Sequence, residues 1–405
     1  MSDSESPAAW RRWSANLALT LFVLSLMFGL AELALRLAGV SYPNFYAPDP
    51  HTGMALRPNA SGYFGLEGGS HVEINADGLR DVAHAKEKPP GTLRIAVLGD
   101  SYAEAMQVDR VQTFWSVMNE SLRDCAALGQ RRVEVINFGV SGYGTAQALQ
   151  TYRYKVRDYD PDIVLLAFLT GNDIRNNLRE LELDPLRPYF VLRDGQLLLD
   201  DAFLDEPAYR MRQSGAAQLL YAVINHSRVL QLINRVRQIL KARDVASAQA
   251  ELAGAATQGG EAGLDAQVYH APIEPLWQQA WAVTAALLRT LADEVASDGR
   301  RLVVATLSNG IQVHPDPAQR AAFMQAQGLD TLFYPDDRVA GIGRDYGFEV
   351  LTLAPGLQQF AQQEGNYLHG FDNTPIGQGH WNALGHRAAG ERLASFICAR
   401  LKDGD

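Results

Sequence analysis

The chain has 405 residues against about 150 for a typical domain, enough for one large or two modest domains with a full core. Apolar residues make up 47% and charged residues 20%, which excludes both a disordered chain and one wholly embedded in a membrane. With 36 basic against 46 acidic residues the formal charge is −10, the wrong sign for a protein that binds by neutralising phosphates, so nucleic acid is not an expected partner.

In chain order, a polar tail over residues 1–12 ends in Arg11 and Arg12 and leads into an apolar run, Leu17 to Ala31, broken by Glu32 and resumed to Val40. One helix over 13–40 is predicted. Its uninterrupted run is short of the ~20 residues of a full span, but Glu32 and Arg36, four apart on one face, can pair or snorkel. The positive-inside rule places Arg11 and Arg12 in the cytoplasm and exports everything from about Ser41 onward. A cleaved signal peptide competes, because Gly29, Leu30 and Ala31 suit a peptidase; a buried core helix is the third reading. Helical apolar pattern beyond Ala31 favours a retained anchor.

Residues 41–92 are rich in Pro, Gly and Asn and are expected to form an irregular, partly β-stranded lead-in. From residue 93 to 401 the rhythm is strand, tight turn, helix. Strands are predicted at Arg94–Leu98, Val133–Asn137, Ile163–Phe168, Leu302–Thr306 and Glu349–Leu353. Helices are predicted near Gln112–Asp124, Thr145–Asp158, Pro275–Ser297, Asp336–Arg344 and Ala383–Leu401. Alternating apolar strands and helices imply a parallel sheet sandwiched between helices. The rhythm fails over about 174–272. There an acidic segment, Glu180 to Asp184, reads as a solvated face and a hairpin is expected at Tyr189–Leu199 on the turn Asp194-Gly195. A helix from Ala216 to Ala242 and an Ala/Gly/Gln-rich mobile loop over 245–267 follow. This insertion is either decoration or a lid over the strand ends.

Chemistry concentrates on four loops. Ser101 follows a strand and opens a helix, where backbone N–H groups favour developing negative charge; it reads as a nucleophile or as a simple N-cap. Its neighbours, Gly99, Asp100, Tyr102 and Ala103, are not the GxSxG elbow. Gly142, in the loop Asn137–Thr145, can offer an N–H to an oxyanion or merely serve a tight turn. Asn172, in Gly171-Asn172-Asp173, carries a side-chain amide suited to the same task, or to an Asx-turn. His380, before the last helix, can act as base to Ser101, since loops at the carboxyl ends of parallel strands converge. His386 is an alternative base but falls within the helix. Trp277 and Trp281, at helical spacing, are read as packing rather than a sugar platform.

Together, the Gly99–Ser101 triplet, Gly142, the Gly171–Asp173 triplet and His380 resemble the four sequence blocks of the SGNH (GDSL-type) hydrolases. The resemblance implies a flavodoxin-like three-layer α/β/α sandwich, with Ser101 as nucleophile, His380 as base, and Ser101, Gly142 and Asn172 forming the oxyanion hole. The segments INADGLRD (Ile74–Asp81) and ELALRLAG (Glu32–Gly39) resemble exported, membrane-tethered bacterial members. That places a single-pass protein in the cytoplasmic (inner) membrane with its hydrolase domain periplasmic. One departure stands out: the family commonly places an Asp three residues before the His, where this chain has Gly377. Asp372 is the nearest substitute, and a Ser-His dyad is the other option.

The resemblance implies acyl transfer through acyl-Ser101, with no metal and no diffusible cofactor. Water as acceptor gives an esterase acting on O-acylated cell-envelope carbohydrate or another ester, and a sugar hydroxyl gives an O-acyltransferase. A non-catalytic carbohydrate-binding or assembly protein is the reading from another class, and Gly377 is its support. Cys125 and Cys398 fit no zinc or CxxC pattern. In a flavodoxin-like order their helices lie side by side, so a bridge and two free thiols are both open.

Overall fold

The computed structural model describes residues 7–237, 239–240 and 265–402; residues 245–264 of the expected mobile loop fall outside them. The chain forms two units, one joining residues 1–44 with 215–253, the other joining 45–214 with 254–405.

The first unit contains α1 (Pro7–Leu37). Its segment Trp10–Leu37 is long and apolar enough to cross a membrane, with mean hydropathy 2.1 and 0% of its most apolar stretch buried. Two further helices of this unit come from the insertion and are described below.

The second unit opens with two antiparallel hairpins, β1 (Tyr46–Asp49) with β2 (Gly53–Leu56), and β3 (Ser61–Phe64) with β4 (Ser70–Glu73). The lead-in is therefore more ordered than its composition suggested. The reason is a small core of its own, in which Phe45, Leu56, Val72 and Ile74 pack on Met106, Val140 and Tyr143.

Five parallel strands follow: β5 (Thr92–Gly99), β6 (Arg132–Asn137), β7 (Ile163–Leu169), β10 (Arg301–Leu307) and β11 (Glu349–Thr352). Between β7 and β10 in the chain lies the antiparallel pair β8 (Tyr189–Arg193) and β9 (Gln196–Asp200). The sheet order is β6-β5-β7-β10-β11, so the chain leaves β5 toward one edge, returns to its other side at β7 and continues outward. This is the flavodoxin-like order, with its switch point between β5 and β7. The inner strands β5, β7 and β10 are buried on both faces, so they are largely apolar and alternate between two cores. On β5, Ala96 and Leu98 face the layer of α4 (Thr145–Tyr154), α10 (Pro275–Ser297) and α12 (Tyr334–Tyr346). Ile95 and Val97 face the layer of α3 (Phe114–Leu122), α13 (Leu353–Glu364) and α14 (Ala383–Lys402). The flavodoxin-like three-layer α/β/α sandwich expected from the sequence is the fold observed.

Cys125 and Cys398 are bridged, with Cα atoms 5.7 Å apart, tying the end of the α3 segment to α14. Trp277 and Trp281 are 4% and 1% exposed core residues of α10. The β8–β9 turn sits on Asp194 and Gly195, both at positive φ as a two-residue hairpin requires. Two expectations need correction. The acidic run is not wholly solvated, because the half-buried Glu182 pairs with Arg175 and Arg187. The helix expected from Ala216 breaks at Ser227 into α8 (Gly215–His226) and α9 (228–237).

Candidate active site

Register places three of the four loops side by side. Val97 pairs with Asn137 and Gly99 with Ala167, so the chain leaves β5, β6 and β7 at one edge of the sheet. Leaving β5, Asp100 caps a single-turn helix, α2 (Ser101–Glu104), by accepting from Tyr102 N at 2.9 Å. Ser101 is the first residue of that turn, where its N–H has no helical acceptor.

Leaving β6, Gly142 has φ +77 and open space where a Cβ would stand, a left-handed turn that suits glycine. Among the described residues neither the Ser101 nor the Gly142 N–H takes a protein acceptor. Leaving β7, Asp173 Oδ2 accepts from Leu169 N at 3.1 Å and closes the turn that presents Asn172. One N–H of the Asn172 amide reaches Asp100 Oδ2 at 3.4 Å, which leaves its second hydrogen for a ligand. Burial raises the pKa of Asp100; burial and the Asp100 charge push that of Asp173 well up.

His380 reaches this edge from the fourth loop, with Nε2 2.7 Å from Ser101 Oγ. Its Nδ1 bonds Glu67 Oε2, and its backbone N–H donates to Glu67 Oε1 at 2.8 Å. Asp372, the expected orienting acid, is not a partner of the ring: it lies in the wall of a neighbouring trough. Glu67 takes that place because the β3–β4 hairpin brings it there. Asn373 fixes the arrangement by exchanging two hydrogen bonds with Gly68, each 2.9 Å. A Cβ on Gly379 would stand 2.2 Å from Glu67 Oε1, so the close approach of carboxylate and loop requires glycine there. Burial alone would depress the His380 pKa, but the hydrogen bond and charge of Glu67, with Asp100 and Glu104 behind, outweigh it and raise it. Burial would raise Glu67, and the same pair outweighs that and lowers it. The pair thus stabilises an imidazolium next to Ser101, as a general base needs in mid-reaction.

Three further groups support the site. His369 is buried, and burial lowers its pKa to about 4. It is therefore neutral near pH 7, with Nδ1 2.7 Å from Gly379 O and Nε2 3.1 Å from Ser308 Oγ, which accepts from Trp381 Nε1 at 2.8 Å. These bonds hold the segment Gly379–Trp381 that carries His380. Arg80, from the INADGLRD segment, donates to the carbonyls of Glu104, Ala105 and Val108 and so satisfies the end of α2. Glu104, buried beneath the site, accepts from Tyr46 Oη at 3.0 Å; burial raises its pKa to about 7.

His386 is buried within α14, where Nδ1 accepts from Phe114 N at 3.2 Å and burial drives its pKa down to about 3. It plays no part beside Ser101. The residues that sequence reasoning missed are Glu67, His369, Arg80 and Glu104. For Glu67 the only local signal is an acid set among Gly65, Gly68 and Gly69.

No family model matches the chain, and no curated protein matches it. Solved structures similar to it include the acetyl xylan esterase AlAXEase, at 10% identity over 75% of this chain and 99% of that one, with a TM-score of 0.38. Another is a variant of Axe2, an acetyl xylan esterase from Geobacillus stearothermophilus (12%, 77% and 98%, TM-score 0.36). A third is LAE5, an alpha/beta hydrolase enzyme from the metagenome of Lake Arreo, Spain (13%, 75% and 95%, TM-score 0.36).

Proposed function

We propose that this protein is a serine esterase of the SGNH (GDSL) type, held at a membrane by α1, that cleaves ester bonds through an acyl-Ser101 intermediate. Its substrate class is O-acylated carbohydrate of the cell envelope. The observation that carries the chemistry is one imidazole, His380, set between Ser101 Oγ at 2.7 Å and the Glu67 carboxylate. As Oγ attacks the ester carbonyl, His380 Nε2 takes the hydroxyl proton and Glu67 stabilises the resulting imidazolium. The N–H groups of Ser101 and Gly142 and the Asn172 amide donate to the oxyanion. His380 then protonates the leaving alkoxide, and water, deprotonated by the same nitrogen, releases the acid and frees Ser101.

The carbohydrate reading draws on a trough of about 720 Å³ beside the Glu67 loop, lined by Tyr63, Tyr367 and Phe371 with Gln107, Asp372 and Asn373. Aromatic faces with amide and carboxylate groups suit sugar rings. The reading as a non-catalytic binding protein rested on the missing acid at Gly377, and Glu67 removes that support.

Fluorophosphonate labelling of the full chain tests the proposal. Stoichiometric labelling that disappears in Ser101→Ala and His380→Ala is expected; a folded wild-type protein inert to this and to smaller acylating probes would refute it. Turnover of p-nitrophenyl acetate with and without added saccharide then separates release of free acetate from transfer to a sugar hydroxyl.

A further inference from the structure

The helices that the insertion adds to the first unit carry apolar side chains turned outward. On α8, Leu219, Leu220 and Val223 are 67%, 58% and 47% exposed, and on α9, Leu232, Ile233 and Val236 are 38%, 53% and 49% exposed. Scattered exposed leucines need no explanation, but six large apolar residues concentrated on two consecutive helices of one unit do. At about 100° per residue the three on α9 fall in a sector of roughly 100°, with Arg228 and Arg235 on one flank and Arg237 on the other. An apolar stripe bordered by cations is the pattern of a helix lying at a lipid interface.

The turn between the two helices is bonded to the end of α1. Glu32, the carboxylate that breaks the apolar run, accepts from Ser227 Oγ at 3.0 Å and from the N–H groups of Arg228 and Val229 at 3.0 and 3.1 Å. It thereby serves the otherwise unsatisfied N–H groups that open α9. Arg36 donates to the carbonyl of His226. Tyr42 N donates to Gln231 and Asn44 N to Asn225, each at 2.8 Å. Glu32 is therefore a structural joint, and the outward apolar face of α8 and α9 is held at the end of the helix whose own apolar surface is unburied.

We propose that α8 and α9 form an amphipathic arm that lies in the membrane interface beside α1, its exposed leucine, isoleucine and valine side chains covered by lipid acyl chains. The continuity of this face with the apolar end of α1, and the exposed Arg237 on its flank, placed to meet anionic headgroups, select lipid over a soluble partner or a second copy. The inference rests on α1 being a retained anchor and is independent of the serine chemistry.

The test uses the full chain in vesicles of phosphatidylethanolamine and phosphatidylglycerol, with the Cys125–Cys398 bridge intact. Single cysteines are introduced as Leu220→Cys, Ile233→Cys, Leu24→Cys in α1 and Gln363→Cys on α13, each labelled with a thiol-reactive nitrobenzoxadiazole. The labels at 220 and 233 should be quenched at least about twofold by lipid carrying a shallow doxyl group and shielded from aqueous iodide, with the label at 363 the reverse. Iodide access equal to that at 363 overturns the proposal, as does shielding from both quenchers, which would mean a protein covers the face. Deep-doxyl quenching at 24 reports on α1 separately, so failure of the anchor and failure of the arm are told apart.

Discussion

The loops at the carboxyl edge of the sheet and the β3–β4 hairpin both deliver groups to His380, but they are positioned by different means. Ser101, Gly142 and Asn172 each follow a strand within a few residues, so their places are set by the register of a five-stranded sheet buried on both faces. Glu67 lies between two four-residue strands, and its place is set by contacts with loops distant in the chain: the paired amide of Asn373 and the close approach to Gly379. The first arrangement is written into local pattern, whereas the second exists only once the tertiary structure has formed. Loss of a sheet-borne group should therefore remove the reaction, and loss of the hairpin-borne acid should weaken and retune it.

The largest effects fall on the sheet edge. Ser101→Ala and His380→Ala are each expected to lower kcat about 10^4- to 10^6-fold without unfolding the protein, and the double variant should be little worse than either. Steady-state turnover with circular dichroism of the same samples checks this; additive losses would show that the two residues do not act as a unit. Glu67→Gln comes next, with a loss of about 10^2- to 10^4-fold in kcat/KM.

The comparison can also be probed through stability. Opening the 273-residue loop with Cys125→Ser and Cys398→Ser together should cost about 2–5 kcal/mol in urea unfolding while leaving the geometry around Glu67, and so kcat, nearly unchanged. Glu104 gives a smaller, pH-dependent effect. Its folded pKa, raised to about 7 from 4.5, contributes stability that is full below the unfolded value and is lost as pH rises through about 7. Glu104→Gln should therefore flatten the stability profile between about pH 5 and 8, by at most about 3 kcal/mol. Denaturant midpoints across that range decide it, and a profile parallel to wild type would contradict the assignment. On p-nitrophenyl acetate, which carries no sugar to occupy the trough, Asp372→Asn should change turnover by less than about twofold.

How far the sequence foretold the molecule follows the same division. The strands from Arg94, Val133, Ile163, Leu302 and Glu349 were legible because strands buried in a sheet core are short apolar runs; Ser101, Gly142 and Asn172 were legible because each follows such a strand, and His380 because it precedes the last helix as the fourth block of the family resemblance. Glu67 was not, because an acid placed three residues before the base is a local pattern and this chain supplies its acid about 300 residues upstream. His369 and Arg80 were hidden for a related reason: a lone His and a lone Arg carry no periodicity, and their value lies in the carbonyls of Gly379, Glu104, Ala105 and Val108 that they satisfy. The lead-in looked irregular because its strands span only four residues each and its core borrows Met106, Val140 and Tyr143 from the site loops.

The most direct test is the pH dependence of fluorophosphonate labelling of Ser101 in wild type, Glu67→Gln and Asp372→Asn. The Glu67 carboxylate raises the His380 pKa, and the base acts only when neutral, so wild-type labelling should rise through a pKa above the ordinary imidazole value of about 6.5. Glu67→Gln should shift that rise to lower pH and lower the plateau at least about 100-fold, with Asp372→Asn superimposing on wild type. A profile moved by Asp372→Asn and untouched by Glu67→Gln would contradict a triad completed by the hairpin.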